Sequence, residues 1–155
     1  MTPAQAMDVG TKLIQLLSQQ RLLYRQLKEL ANKQSSLVDG RDPEMLLRVL
    51  ASRQRLIDKL SVIDKELEPI RSDWQSIAKS LPPQQRLEAQ GLVASVQQIL
   101  GEILVNDGRD AQAMMEQQKK VSHEIKSTSK GKQMNHAYVK VGPKSQSRYF
   151  DSHSD

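Results

Sequence analysis

The sequence contains no cysteine and few aromatic residues, with one tryptophan, one phenylalanine and three tyrosines among its 155 residues. Without thiols, the chain can form no disulfide, no thiolate nucleophile and no cysteine-ligated zinc site. With so few rings, its core has to be built from aliphatic side chains. Thiol chemistry is therefore excluded, and burial of leucine, isoleucine and valine is expected to supply most of the stability.

Long hydrophobic runs are missing as well. No stretch approaches the 18 consecutive apolar residues that suggest a transmembrane helix. The first residues carry no basic segment followed by a hydrophobic block, so we expect neither a secretory signal nor membrane insertion. The expected location is the cytoplasm.

The charge is uneven along the chain. The net charge is +5, from 23 Lys and Arg against 18 Asp and Glu, and residues 128–155 hold five basic and two acidic residues of these totals. The first 127 residues are thus nearly neutral and mixed in sign, unlike a folded nucleic-acid-binding face, which is striped with basic residues. The Gly-, Ser- and Lys-rich composition of 128–155 predicts a basic, disordered tail. Non-specific association of this tail with nucleic acid stays open as an alternative.

The first of three predicted helices covers about residues 3–37. Thr2 and Gln5 have the spacing of a capping box, and Gly40 followed by Asp42 gives a turn glycine and the cap of the next helix. Its apolar residues have the three-four spacing of one helix face, and Gln20 and Gln34 interrupt this stripe. The apolar stripe positions are Leu13, Leu16, Leu23, Leu27, Leu30 and Leu37.

The second predicted helix covers residues 43–81 and has the most regular pattern. Pro69 removes a backbone donor, so a kink is expected near Lys65–Pro69, but the stripe keeps its register and favours a bend over a loop. Ten of the eleven stripe positions are apolar: Leu46, Val49, Arg53, Leu56, Leu60, Ile63, Leu67, Ile70, Trp74, Ile77 and Leu81.

The third predicted helix covers residues 83–127 and begins after the Pro82-Pro83 pair. Asn106 and Asp110 form two polar layers in its stripe, and Gly108 is either a break or an exposed helical glycine; we favour a continuous helix. The apolar stripe positions are Leu92, Val96, Ile99, Ile103, Met114, Val121 and Ile125.

These segments predict an all-α fold: an elongated, up-down-up antiparallel three-helix bundle over residues 1–127, resembling a coiled coil, followed by the tail 128–155. The polar stripe residues Gln20, Gln34 and Arg53 predict marginal stability or self-association, so a homo-oligomer is possible. Arg53 is interpreted as a residue that buries its stem, keeps its charged head in water and sets the helix register or is merely tolerated.

No constellation for catalysis is found, so we predict no enzyme, no cofactor and no metal site. The three histidines lack the glutamate three residues earlier that marks di-iron bundles. The segment from Asn106 lacks the glutamate that closes a calcium loop, because Gln117 stands at the twelfth position.

Two groups of residues favour binding. Met114 and Met115, together with Val121 and Ile125, give the end of the third helix a soft apolar surface that could take up an amphipathic helix, although ordinary core packing explains them equally well. The aromatic pair Tyr149-Phe150 and the earlier Tyr138 lie in the polar tail, where aromatic residues are candidates for folding on a partner.

The sequence also resembles the FlgN-type flagellar export chaperones. The resemblance covers roughly residues 10–140 as a pattern of helical layers: the leucine-rich segment Leu13–Leu37, Asp42–Leu50 with Arg53-Gln54, Glu66–Arg71, and Tyr138 beyond Gly131.

The resemblance implies a small, cytoplasmic, non-enzymatic type III export chaperone. Such a protein would bind the amphipathic C-terminal helices of hook-filament junction proteins and deliver them to the export gate. It would use a late helical region, here about Val105–Ile125. Tyr138, which matches no motif of the family, is our candidate for docking to the gate. Two alternatives remain, a coiled-coil structural or adaptor protein and a helical protein that associates with nucleic acid through its tail.

Overall fold

The computed structural model describes residues 1–124, and the predictions for Ile125, Tyr138 and the tail 128–155 lie outside this part of the chain. The described residues form four helices and no strand, so the all-α prediction is confirmed. None of the four is long and apolar enough for a membrane crossing. The helices are α1 (Pro3–Ser35), α2 (Pro43–Ser72), α3 (Trp74–Ser80) and α4 (Pro83–Glu124).

The predicted starts of the first two helices are confirmed by their capping bonds. The amide of Thr2 donates to Gln5 Oε1 at 2.9 Å, and the amide of Gln5 donates to Thr2 Oγ1 at 3.2 Å, which completes a capping box. Before α2, the amide of Met45 donates to Asp42 Oδ1 at 3.0 Å. Gly40 has a φ of 80°, a left-handed conformation that glycine adopts without steric cost.

Replacing Asp42 by alanine is expected to lower the free energy of unfolding by about 1 kcal/mol, because the Met45 amide at the start of α2 loses its side-chain acceptor. Urea unfolding followed by circular dichroism measures the change. Asp42→Ser is the control, since a serine hydroxyl can accept the same bond and should leave stability near the wild-type value. Equal losses in the two variants would contradict a capping role.

The predicted single helix over residues 43–81 is wrong in one respect. The helix continues through Pro69 and is interrupted only at Asp73, which separates α2 from α3. Asp73 leaves the helical conformation, with φ −116° and ψ 24°. Just before it, the Ser72 hydroxyl donates to the Glu68 carbonyl at 3.0 Å, a bond that competes with the helical ladder and often bends helices.

The helix predicted over residues 83–127 runs as α4 through Gly108 without a break. A Cβ added at Gly108 would meet nothing within 4 Å, so the glycine is not required by packing there. The continuous form favoured from the sequence is the one observed.

The chain divides into two compact units. Unit 1 contains Met1–Lys28 and Arg55–Glu102. All four helices contribute to its core, and Trp74 packs against this core half-buried. The core residues are Leu13, Leu16, Leu17, Ile63, Leu67, Ile77, Leu81, Ala89 and Leu92.

Polar contacts show the direction of α1 and α4 in unit 1. Gln85 Nε2 lies 3.4 Å from the Met7 carbonyl oxygen and 3.4 Å from Thr11 Oγ1. Lys28 pairs with Glu102. Gln85 follows Thr11 by 74 residues, and Glu102 follows Lys28 by the same number. The numbers rise together, so the two helices run parallel within this unit.

Among the described residues, unit 2 contains Glu29–Gln54 and residues 103–124. Asn106 Nδ2 donates to Asn32 Oδ1 at 2.8 Å, again with an offset of 74 residues, so α1 and α4 are parallel here as well. Its buried apolar residues are Ala31, Leu46, Val49, Leu50 and Ile103.

The apolar stripe of α1 differs from the predicted one. Tyr24 and Ala31 are buried, whereas Leu23 and Leu30 are only half-buried. The observed positions alternate regularly by four and three residues, which keeps them on one face, while the prediction followed the leucines. The buried positions in this regular spacing are Leu13, Leu17, Gln20, Tyr24, Leu27, Ala31 and Gln34.

Candidate functional site

A cluster of polar side chains lies inside unit 2, and we call it the polar cluster. It consists of Gln34 and Ser35 from α1, Arg53 from α2, and Asp107 and Asp110 from α4. All except Ser35 are buried. Charged groups are almost never this deeply buried unless they are paired, so the contacts inside the cluster decide whether it stabilises or weakens the unit.

The guanidinium of Arg53 is the centre of the polar cluster. Nη1 donates to Asp107 Oδ1 at 2.7 Å and Nη2 donates to Asp107 Oδ2 at 2.9 Å, a bidentate pair. Nη1 also donates to Gln34 Oε1 at 2.6 Å. The side chains of Arg53 and Asp107 are 5% and 3% exposed. Such planar, two-bond geometry links α1, α2 and α4 through one residue.

The expectation that Arg53 keeps its head in water is wrong. The guanidinium is buried because Asp107 supplies a carboxylate at the matching level of α4 and removes the need for solvent. The prediction placed Asn106 in the stripe of α4, but Asn106 is only half-buried and Asp107 takes the inward position. The stripe steps by four residues from Ile103 to Asp107, and then by three to Asp110.

Asp110 is the second buried carboxylate of the polar cluster. The Ser35 hydroxyl donates to its Oδ1 at 2.7 Å, and its Oδ2 is buried without a hydrogen-bond partner. Burial raises the pKa of Asp110 above the ordinary aspartate value, and the nearby Asp107 adds to this effect. The Ser35 hydrogen bond and the Arg53 charge act in the opposite direction.

The polar cluster holds one guanidinium and two carboxylates. Gln34 is fully buried and its Nε2 also lacks a partner, so an unused donor and an unused acceptor remain inside the cluster. Buried pairs of this kind are weak evidence for added stability, and setting the helix register is the best-attested use of such groups. We interpret the Arg53–Asp107 pair as a register-setting contact of unit 2.

The residues predicted to bind a client are spread along the second half of α4. Val105 and Met115 are exposed, at 54% and 58%, whereas Met114 and Val121 are half-buried.

Helical geometry separates these four residues into different faces. At 3.6 residues per turn, Met114 and Val121 lie within about 20° of each other, on the side of α4 that carries Asp107 and Asp110. Met115 lies about 100° away from Met114, and Val105 about 180° away. Met114 and Val121 are therefore brought together, Met115 borders them, and Val105 belongs to the opposite face.

Two of the open surface depressions formed by residues 1–124 bear on ligand binding. One, of about 410 Å³, is lined by residues of α4 alone, and Met115 is its only apolar lining residue. The other, of about 860 Å³, lies at the junction of α2 and α3, where Arg71 and Lys79 are among its mostly polar lining residues. A small-molecule site usually encloses its ligand with apolar walls and a few convergent polar groups, and neither depression has that form.

Metal binding requires several ligands at one point. Within residues 1–124, no three His, Asp or Glu side chains are grouped so that they could hold an ion.

Sequence reasoning singled out Gln34, Arg53 and Asp110 as polar residues in apolar stripes, and the structure brings all three into the polar cluster. It missed Asp107, which carries the bidentate contact. The available signal was an acidic residue four positions after the inward Ile103, on a helix that must face the buried Arg53. No protein-family model, curated protein or solved structure matches this chain, so its own residues and contacts are the basis for a function.

Proposed function

We propose that this protein is a cytoplasmic export chaperone that captures amphipathic C-terminal helices of hook-filament junction proteins. Its three long helical segments would run up, down and up, and the late part of α4 would receive the client helix. The client would then be handed to the flagellar export gate. The resemblance to FlgN-type chaperones motivates this proposal, and the surface of α4 supports it.

The observation that carries the proposal is the loss of burial along α4. Asp110 is the last buried residue of α4 among those whose burial is described, although the helix continues to Glu124. Met114 and Val121 keep the inward face of the stripe but remain half-exposed. An apolar face that the rest of the unit covers only partly is suited to an incoming apolar helix face.

The chemistry of these side chains fits a helical client. Methionine is unbranched and polarizable, so Met114 and Met115 can adapt to different apolar side chains of a client helix. A helix laid along α4 would contact residues three, four or seven positions apart, which is the spacing of Met114 and Val121. A single client helix on this face would not reach Val105, which lies on the other side of α4.

Replacing Met114, Met115 and Val121 by serine together is expected to weaken client binding at least tenfold, because apolar anchors of a helix-in-groove contact are lost. The measurement uses the full chain as bait in native cytoplasm, with recovered hook-filament junction proteins identified by mass spectrometry. Titration of the recovered client then gives the affinity. Circular dichroism verifies that the variant remains helical.

A matched control replaces exposed apolar residues elsewhere. Val62→Ser with Leu87→Ser removes two exposed apolar side chains from unit 1 and should leave client binding unchanged. Val105→Ser tests the opposite face of α4 and should also have no effect.

Unchanged affinity in the triple variant would reject the α4 site. Recovery of the protein alone, with tight self-association, would instead favour the structural or adaptor alternative. Recovery of nucleic acid that is lost at high salt, and absent from a chain ending at Ser127, would favour the tail-driven alternative.

A further inference from the structure

The polar cluster of unit 2 is not balanced in charge. Both Nη atoms of Arg53 donate to Asp107, which neutralises that carboxylate. Asp110 receives only the uncharged hydroxyl of Ser35, and its Oδ2 has no partner. When both carboxylates are ionised, the cluster therefore keeps one negative charge inside the protein, where an unpaired charge is costly.

The groups that act on Asp110 come from each neighbouring helix. Arg53 on α2 attracts it, Asp107 on α4 repels it, and α1 contributes Ser35. Because Arg53 is already bound by Asp107, its attraction is largely offset, and desolvation by burial is the strongest influence.

We propose that the polar cluster is a proton-binding switch: Asp110 takes up a proton in the folded protein at a pH where an exposed aspartate is ionised, and unit 2 is held more tightly in that state. A proton restores the charge balance without needing space. No set of ligands for a metal ion is present among the described residues, and neither surface depression is lined by the cluster. The switch goes beyond the export-chaperone function and does not depend on it.

The direction of the effect follows from linkage. Folding raises the pKa of Asp110, so the folded state binds this proton more tightly than the unfolded state. The contribution of Asp110 to stability is therefore unfavourable while it is ionised and improves as the pH falls through its folded pKa. It reaches its full value below the ordinary aspartate pKa of about 3.9. Each unit between the folded and unfolded values changes the ratio of folded to unfolded molecules about tenfold.

A carbon-13 NMR titration of the Asp110 carboxyl in the full chain tests proton uptake directly. We expect its pKa to lie above the ordinary aspartate value of about 3.9. Ser35→Ala should raise it further, because the hydroxyl stabilises the ionised form. A midpoint at or below the ordinary value in the wild type would overturn the proposal.

Unfolding measured from about pH 8 down to about pH 3.5, below the ordinary aspartate pKa of about 3.9, tests the effect on stability. Asp110→Asn should unfold at a higher denaturant midpoint than wild type at the alkaline end, and should lose the gain that wild type shows on acidification. Glu116→Gln is the matched control, since it removes an exposed carboxylate from the same helix and should follow the wild-type profile.

A wild-type pH profile in Asp110→Asn, or lower stability of this variant at about pH 8, would overturn the switch. If Asp110→Asn does not fold, the NMR titration of the wild type decides the question alone.

Discussion

Replacing Arg53 by methionine is expected to lower the free energy of unfolding by about 3–5 kcal/mol, one of the two largest effects that we expect for a single substitution. Methionine fills most of the volume of the arginine stem but leaves the carboxylate of Asp107 buried with no cation. It also removes the donor to Gln34 Oε1, which then stays inside the unit unpaired. Urea unfolding monitored by circular dichroism measures the loss.

The double variant Arg53→Met with Asp107→Leu tests whether the loss of stability comes from leaving the Asp107 carboxylate without its cation. Both charges are then absent and the apolar side chains occupy similar space, so stability should recover most of the loss. The return is incomplete because Gln34 Oε1 stays buried without its donor. Arg48→Met is the surface control, because the Arg48–Glu44 pair is exposed and should contribute no more than about 1 kcal/mol. A double variant as unstable as Arg53→Met would show that burial of an unpaired carboxylate is not the cause.

The second large effect is expected in unit 1, where Leu27→Ala should cost about 2–5 kcal/mol. Leu27 is completely buried, at 0% exposure, so truncation loses transfer free energy and leaves a cavity that the surrounding helices fill only partly. The same unfolding measurement gives the value.

Leu22→Ala is the matched control on the same helix. Leu22 is 56% exposed, so the same chemical change should cost well under half as much as at Leu27. Equal losses at the two positions would mean that Leu27 does not occupy a packed core site.

Much of the fold could be predicted because local signals and periodicity agree. The capping pair Thr2 and Gln5, the turn glycine Gly40 and the cap Asp42 each form the contacts that their residue types suggest. The stripe of the second segment agrees with burial at eight of its eleven positions, because leucine and isoleucine recur there at unambiguous spacing. Its other three positions, Leu56, Ile70 and Trp74, are half-buried.

The misplaced residues have a common physical reason. In α1, leucine lies on both sides of the true inward face, so composition could not distinguish Leu23 from the buried Tyr24. In α4, either of two adjacent polar residues, Asn106 or Asp107, could take the inward position of the stripe. Asp107 takes it because it pairs with Arg53 from another helix. Such tertiary pairing is not encoded in the periodicity of either segment.

The candidate binding surface was also predicted only in part. The sequence identified Met114, Met115 and Val121 as apolar, but the degree of their exposure depends on where the neighbouring helices end. Assigning Val105 to the same surface came from the resemblance, and helical geometry places it on the opposite face.

Contacting positions of α1 and α4 are 74 residues apart in the sequence, and this separation matters during synthesis. A ribosome that adds 5–20 residues per second completes the partner of Asn32 roughly 4–15 s after Asn32 itself. During that interval, α1 and α2 present apolar faces that α4 will later cover, and such exposed faces favour aggregation. Gln34 and Arg53 interrupt these faces with polar groups, so the nascent chain is less prone to aggregate before Asp107 is synthesised. The residues that form the polar cluster in folded unit 2 thus also limit aggregation of the nascent chain.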